Sequence, residues 1–367
     1  MSGAAIFVWP IDSHFGWGIR GLNYALSWPG VAVSAMPEGR AELPPDDPRW
    51  PLLRERIAQS RRFQSEILAK SGENVEIEAP VLVAMGNDLT PQRTAFGRVL
   101  RGRPTIACPV FEDVESVKRN IARLEGYDAV VVASRWNQEV LDGLGVAATL
   151  CHEGIDPTIF NPGVRASVET SGKYRVFSGG KVEYRKGQDI VIEAFRRFAE
   201  AHDDAVLVAA WGSPFGFSGQ DFEGKWEHGA PPGSHIGRPN FHAWVERAGI
   251  KPHQFGYVEP CANWRMAETY AGCDVAVFPN RREGGTNFVA MEAMGCGVPT
   301  VRSPWHGHAD LLNEPGMMTS NYNKEDVSQA AEWLSYVYHH GFKGQELSEH
   351  WTWERHCNQM AVIARAQ

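Results

Sequence analysis

The sequence predicts an α/β protein made of two Rossmann-like, doubly wound domains facing a central cleft. Three observations carry this. The chain has 367 residues, enough for two domains of ordinary size that each bury a core. Short apolar runs alternate with longer stretches of helical periodicity, the βαβ rhythm of a parallel sheet covered on both faces. That rhythm pauses at "NPGVRASVETSG" (161–172), a polar stretch with Pro, Gly and Ser that reads as a hinge, and then restarts.

In the first half the strands are expected at "AAIFVW" (4–9), "VAVSAM" (31–36), "VLVAMG" (81–86), "PTIACPV" (104–110) and "AVVVAS" (129–134), with helices near 19–27, 50–70, 114–124 and 135–143. In the second half they are expected at "YRVFSG" (174–179), "AVLVAAW" (205–211), "PHQFGYV" (252–258), "VAVFP" (275–279) and "PTVRS" (299–303), with helices near 188–202, 240–248, 263–271 and 287–295. The domains are placed at 1–163 and 164–345. Residues 346–367 are left as a C-terminal helix expected to pack back on the first domain. Ligands of such sheets sit beyond the carboxyl ends of the strands, which here means the cleft.

Composition narrows the class. The chain is 43% apolar and 22% charged, as in a soluble globular protein, and its net charge of −8 argues against a general nucleic-acid binder. The six cysteines (108, 151, 261, 273, 296, 357) form no CxxC pair and no short ligand spacing, so neither a zinc site nor a disulfide framework is expected. No apolar run approaches the length of a membrane span, and "MSGAAIFVWP" lacks the charged head and apolar length of a signal peptide. A reducing cytoplasm is the expected home, with peripheral contact to the inner face of a membrane left open.

The clearest chemistry lies in the second half. "GKVEYRKGQDIVIEAFRRF" places Lys181 and Lys186 around the start of a helix, beside Gly179, Gly180 and Gly187. Cations at a helix N-terminus oppose its dipole, so the pair makes most sense as a clamp on an anion that also meets free N–H groups. "EGGTN" (283–287) is a second Gly-rich turn feeding a helix, with Thr286 or Asn287 expected to cap it, Gly297 to terminate it and Pro299 close behind. Two such turns suggest a diphosphate. Glu292 stands in the otherwise apolar "FVAMEAMG" and needs hydrogen-bond donors, either sugar hydroxyls from the cleft or a buried cation of the core.

These residues carry a resemblance. "SGGKVEYRKGQDIVIEAF" followed by "GYVEPCANWRMAETYAGCDVAVFPNRREGGTNFVAMEAMGCGVPTV" is similar to the C-terminal half of GT-B retaining glycosyltransferases of family 4 (group 1). "VVVASRWNQEVLDGLGV" and "CHEGIDPTIFNPG" (130–163) resemble the end of the same family's first domain. The resemblance implies the GT-B fold, with an acceptor-side N-terminal domain and a nucleotide-sugar-binding C-terminal domain. It also implies transfer of a sugar, a hexose by expectation, from a nucleotide-diphosphate-sugar donor to an acceptor hydroxyl with retention of configuration. No bound metal and no cofactor beyond the donor are implied; the acceptor is a glycan, a lipid-linked sugar or a protein. By the same resemblance Lys181 and Lys186 contact the diphosphate, Gly180, Gly285, Thr286 and Asn287 assist, Glu283 touches the sugar and Glu292 holds the ribose. The chain departs from the family in having eight residues rather than seven between Glu283 and Glu292, which puts Gly284 at the nominal first position. It also has Lys181 where Arg is common.

The first half offers fewer signals. "GWGIRG" (16–21) fits G-x-G-x-x-G, and Glu38 lies 20 residues beyond Gly18, a dinucleotide-binding pattern and the basis of an alternative reading as an NAD(P)-dependent oxidoreductase. A non-catalytic nucleotide- or glycan-binding protein of the same fold is the other alternative. In a GT-B cleft the same loop faces the donor phosphates and the acceptor across the gap, making His14, Gly16 and Gly18 candidate contacts. In "FED" (111–113) Glu112 or Asp113 either orients acceptor hydroxyls or is a solvated helix-start acid. His306 and His308 stand two apart without nearby partners and are poor evidence for metal. The long "GSPFGFSGQDFEGKWEHGAPPGSH" (212–235) is a candidate acceptor flap.

Overall fold

The computed structural model describes residues 4–166, 172–212, 219–311, 317–319, 327–341, 344, 347 and 350–367. Two six-stranded sheets, every pairing within them parallel, form the two halves. From edge to edge the first runs Val31–Ser34, Ala4–Val8, Val81–Met85, Thr105–Pro109, Ala129–Val132, Thr149–Leu150. The second runs Phe255–Tyr257, Ala205–Trp211, Tyr174–Gly180, Val275–Phe278, Thr300–Arg302, Met317–Thr319. Val81–Met85 and Thr105–Pro109 are buried at every position, as strands covered on both faces must be.

Most expected elements form, with trimmed ends. The helix expected near 114–124 is Val114–Asn120 followed by a 3₁₀ turn. The helix near 263–271 begins as a 3₁₀ turn, Asn263–Arg265, before Met266–Ala271. Of the strand expected at 252–258 only Phe255–Tyr257 pairs, because Pro252 opens a 3₁₀ turn. The small parallel pair Asn74–Glu76 with Val99–Arg101, and the helix Val327–His340, had no clear signal in the sequence. Part of the expected hinge (167–171) and part of the expected flap (213–218) lie outside the described residues. The rest of that flap is an anchored piece of the second core, not a free lid: Phe222 is fully buried, and Trp226 packs edge-on to Trp244 with centroids 5.4 Å apart.

The chain crosses between the halves at a paired seam. Ile155 donates its N–H to Trp351 O (2.8 Å), and Trp353 N–H returns to Ile155 O (3.2 Å). Gly154 is required there, since a Cβ would stand 2.2 Å from the Thr352 carbonyl carbon. The last helix, Trp353–Ala366, then joins the first domain's core, with Trp353, Cys357 and Met360 against Phe7, Tyr24 and Trp28.

Both sheets reverse winding direction at an internal switch point. In the first, the switch falls between Ala4–Val8 and Val81–Met85; in the second, between Tyr174–Gly180 and Val275–Phe278. Loops leaving a switch point diverge and open a crevice. The loops leaving the second sheet's switch are 181–187 and 279–287, and 9–15 leaves the first.

Candidate active site

These loops meet across one cleft of about 420 Å³, lined from the first domain by His14, Gly16, Arg20 and Glu112 among others, and from the second by Lys181, Lys186, Glu283 and Glu292. The second domain's contribution begins where the strand Tyr174–Gly180 ends. Gly180 (φ 113°) turns the chain, residues 184–186 make one 3₁₀ turn, and Gly187 (φ 74°) sets it into the helix Gln188–Ala199. A side chain at Gly187 would strike the Pro279 carbonyl at 2.3 Å, so the two switch-point loops touch backbone to backbone. Opposite, Arg281 clasps Asp189 through both carboxylate oxygens (2.8 and 2.6 Å) and lies over the Tyr184 ring at 3.9 Å, fixing the two loops together.

Three cations and three carboxylates interleave in this corner. Lys186 reaches Glu283 directly, and Asn280 Nδ2 donates to the same oxygen at 2.5 Å. Arg185 contacts Glu183 at 2.7 Å and, across the cleft, Glu112 at 3.2 Å, with Glu283 3.8 Å away. Lys181, the most exposed of the three, pairs with Glu183 at 2.9 Å. Burial alone would raise the Glu283 carboxyl, but Lys186 and Arg185 hold it well below the usual range. The corner therefore holds preformed positive charge, paired at present with carboxylates. Arg185 was not singled out from the sequence. Its place in "YRKG" beside Lys186 was the available signal.

Glu292 faces the cleft as expected, and its protein partners are neutral donors. It is buried, and among the described residues no cation pairs with it: Asn263 Nδ2 donates to Oε1 (2.7 Å) and Tyr270 OH to Oε2 (2.9 Å). Burial pushes its carboxyl up to about 8, against the two hydrogen bonds that favour the charge. Its side chain still lines the cleft. Asn263 and Tyr270 come from a separate helical segment, so no local spacing pointed to them.

Two of the expected contacts lie elsewhere. Thr286 is fully buried, its hydroxyl 2.9 Å from Met291 Sδ, and neither it nor Asn287 caps the following helix through its side chain. Asn287 instead takes a positive φ of 67°, which Asn tolerates better than most residues, and Nδ2 meets His308 Nε2 at 3.2 Å while the side chain lines the cleft. Gly18 does not line the cleft. It lies inside the helix Gly16–Ser27, where a Cβ would be 2.4 Å from Asp12 Cβ, and Gly21 packs as tightly on Pro10 O. Those glycines seat a helix on a loop. With Glu38 held by Arg61 at the surface, Gly18 and Gly21 have a packing cause and the dinucleotide alternative is not favoured.

Other expectations find their places. Gly285 and Gly16 line the cleft. Gly284, by contrast, serves the domain interface, since a Cβ would lie 2.5 Å from Phe111 O, while Ser134 Oγ donates to Gly284 O at 2.6 Å. Asp113 is the helix-start acid, accepting from Ser116 N at 3.1 Å, which leaves Glu112 facing the cleft. Gly297 (φ 78°) ends the helix Phe288–Gly295 with its N–H on Met294 O and that of Val298 on Ala293 O. His308 is buried, with Nδ1 2.9 Å from Ser303 Oγ. Among the described residues, one group of ligand-type side chains lies close enough to hold a metal ion, Glu193 with Glu227 and His228, and none of the three lines the cleft.

Comparison with known proteins follows this geometry. Residues 234–335 match the family model of glycosyl transferases group 1. The chain is 25% identical over 188 residues to a D-inositol 3-phosphate glycosyltransferase of Rhodococcus erythropolis, covering 49% of this chain and 39% of the relative. It is 30% identical over 109 residues to D-inositol 3-phosphate glycosyltransferase 2 of Catenulispora acidiphila, covering 29% and 25%. The chain thus spans well under half the length of the curated relatives it matches. Among solved structures it superposes on sucrose-phosphate synthase of Thermosynechococcus elongatus with a TM-score of 0.65 at 15% identity, covering 99% and 98% of the two chains. A trehalose-phosphate synthase of Burkholderia vietnamiensis gives 0.63 at 12% identity, covering both chains fully (100%). Anabaena Alr3699/HepE, in complex with UDP and glucose, gives 0.60 at 12%, covering 98% and 95%. The chain has the GT-B fold. Within its second domain, residues 234–335 are similar to the group 1 glycosyl transferases.

Proposed function

We propose that this protein transfers a sugar, a hexose by our reading, from a nucleoside-diphosphate-sugar to an acceptor hydroxyl, with retention at the anomeric carbon. One observation carries the reading: Lys181, Arg185 and Lys186 converge with Glu283 and Glu292 in a cleft at the switch points of two facing sheets. Breaking the anomeric C–O bond leaves positive charge on the sugar and negative charge on the diphosphate. The three cations stabilise the leaving group more as the bond lengthens, which is the differential binding that catalysis requires. In this scheme Glu283 exchanges its Lys186 contact for the sugar, and Glu292 accepts from the ribose hydroxyls. Gly180, Gly285 and Asn287 border the diphosphate, with His14, Gly16 and Glu112 on the acceptor side. The UDP and UDP-sugar complexes of structural neighbours support the donor class.

No cofactor besides the donor and no metal takes part in this scheme, because protein cations serve the diphosphate. The acceptor is a glycan, a lipid-linked sugar or a protein, and the setting is cytoplasmic. Among the described residues no helix is long and apolar enough to cross a membrane. The test is calorimetric titration with UDP, GDP and ADP against NAD(P), followed by a sugar-nucleotide screen for slow donor hydrolysis and for nucleoside diphosphate release with acceptors. Binding of a nucleoside diphosphate and its release from a donor are expected. Tight NAD(P) binding without nucleoside diphosphate binding would sink the proposal, and binding without any turnover would leave only a binding protein.

A further inference from the structure

The first domain's wall of the cleft holds a carboxylate that the scheme above does not use. Glu153 follows the strand Thr149–Leu150, just before the chain crosses to the second domain. It is 6% exposed, and its side chain lines the cleft. Arg20 NH1 stands 3.4 Å from Oε1, longer than the ~2.7–2.9 Å of a charge-assisted hydrogen bond. Among the described residues no hydrogen bond reaches either oxygen.

Arg20 cannot easily move to close that gap. Its guanidinium carbon lies 4.9, 5.2 and 5.5 Å from the rings of Trp9, Trp17 and Tyr24, and NH2 touches the Tyr24 hydroxyl at 3.3 Å. Among the described residues its buried Nε has no hydrogen-bond partner. A buried ion pair repays its desolvation only when the remaining lone pairs and protons are hydrogen-bonded, and this one is incomplete on both sides. Burial accordingly raises the Glu153 carboxyl above its ordinary value. What completes the pair must supply donors. It cannot be an anion, which the carboxylate repels.

The position of the free oxygen narrows the choice. A Cβ placed on Gly285 would lie 3.6 Å from Glu153 Oε2, so this carboxylate sits against the turn that also carries Glu283. We propose that Glu153 is a donor-sugar contact, accepting hydrogen bonds from hydroxyls of the transferred sugar, with Arg20 as the positioning residue that holds it. The proposal rests on the nucleotide-sugar reading above and extends it to a sugar-selecting residue on the first domain, opposite the loops that hold the diphosphate. Hydroxyls are neutral, carry the required donors and are what a hexose presents in that space. Glycine at 285 leaves room for them.

The experiment compares affinities of the full-length protein for UDP and UDP-glucose, and for GDP and GDP-mannose, in wild type, Glu153→Gln and Glu153→Asp. Gln keeps the shape and loses the charge; Asp keeps the counter-charge for Arg20 and shortens the reach, so it guards against a Gln variant that fails to fold. The quantity read is the added affinity of the sugar nucleotide over its nucleoside diphosphate, taken for the pair that wild type binds. A roughly tenfold loss of that increment in a folded variant is expected, with nucleoside diphosphate affinity unchanged. An unchanged increment in both variants overturns the proposal and leaves the nucleotide-sugar reading standing. Equal losses for the diphosphate and the sugar nucleotide also overturn it, assigning Glu153 a structural role. Wild type binding neither pair overturns both readings together.

Discussion

The two walls of the cleft are built on opposite plans. The second domain's charged corner comes from two consecutive-residue motifs, 181–187 and 279–287, at a single switch point, and its cations lie close to one another in sequence. The first domain's wall is assembled from His14, Arg20, Glu112 and Glu153, scattered over more than a hundred residues, and its one buried cation is boxed by aromatics. A charged phosphate cradle needs backbone N–H groups and side chains from one turn, so evolution writes it locally. On the proposed function the first wall reads hydroxyls, which needs only direction, and distant strands supply that equally well.

Breaking the local wall should have the largest effect. Lys186→Ala is expected to cut turnover on the order of 100-fold, the usual size of losing a transition-state charge contact. It also deprives buried Glu283 of its nearest cation, so the melting temperature should fall as well, and rates need comparison well below it. Full turnover in a folded variant would remove the phosphate role.

Glu292→Gln should weaken nucleoside diphosphate binding by roughly tenfold, since the amide loses one charge-assisted acceptor for the ribose. Its stability signature is distinct because no buried cation is stranded. The folded carboxyl sits near 8 against an ordinary 4.5, so the unfolded chain releases its proton first. Wild-type stability should therefore decline as pH rises from about 4.5 to about 8 and level off above that. The Gln variant lacks this slope, and its melting temperature relative to wild type should improve between pH 5 and pH 8. Ribose hydroxyls favour the ionised carboxylate, so nucleotide binding at pH 7 should release a proton in wild type but not in Glu292→Gln. Calorimetry in buffers of different ionisation enthalpy reads this; equal proton release in both proteins would contradict the ribose contact.

The junction between the walls comes next in size. Gly284→Ala forces a methyl against the Phe111 backbone and should cost about 1–3 kcal/mol in overpacking, seen as a lower melting temperature. Smaller still, Glu112→Gln removes the partly exposed cross-cleft pair with Arg185 and should change stability by less than about 1 kcal/mol, with an effect that fades in salt. Finally, EDTA is expected to leave activity unchanged. Loss restored only by a divalent ion would overturn metal independence.

How much was legible depended on the range of the interaction. The α/β class, the repeated βαβ rhythm and the Gly297 helix end are set by neighbours within a few residues, where apolar periodicity and backbone preference act directly. The convergence of Lys181, Lys186, Glu283 and Glu292 also followed, since each stands at a strand end or in the helix after it. What the sequence could not decide was which glycine faces a ligand and which faces protein. Gly285 borders the cleft, whereas Gly284 admits the Phe111 backbone and Gly18 admits Asp12, and a glycine carries no side chain to signal its neighbour. The partners of Glu292 and the pairing of Arg20 with Glu153 were likewise settled only by the packing of separate segments. Burial makes such polar groups costly unless partnered, so the sequence shows that a partner is needed, but only the tertiary structure brings Asn263, Tyr270 and Arg20 within reach.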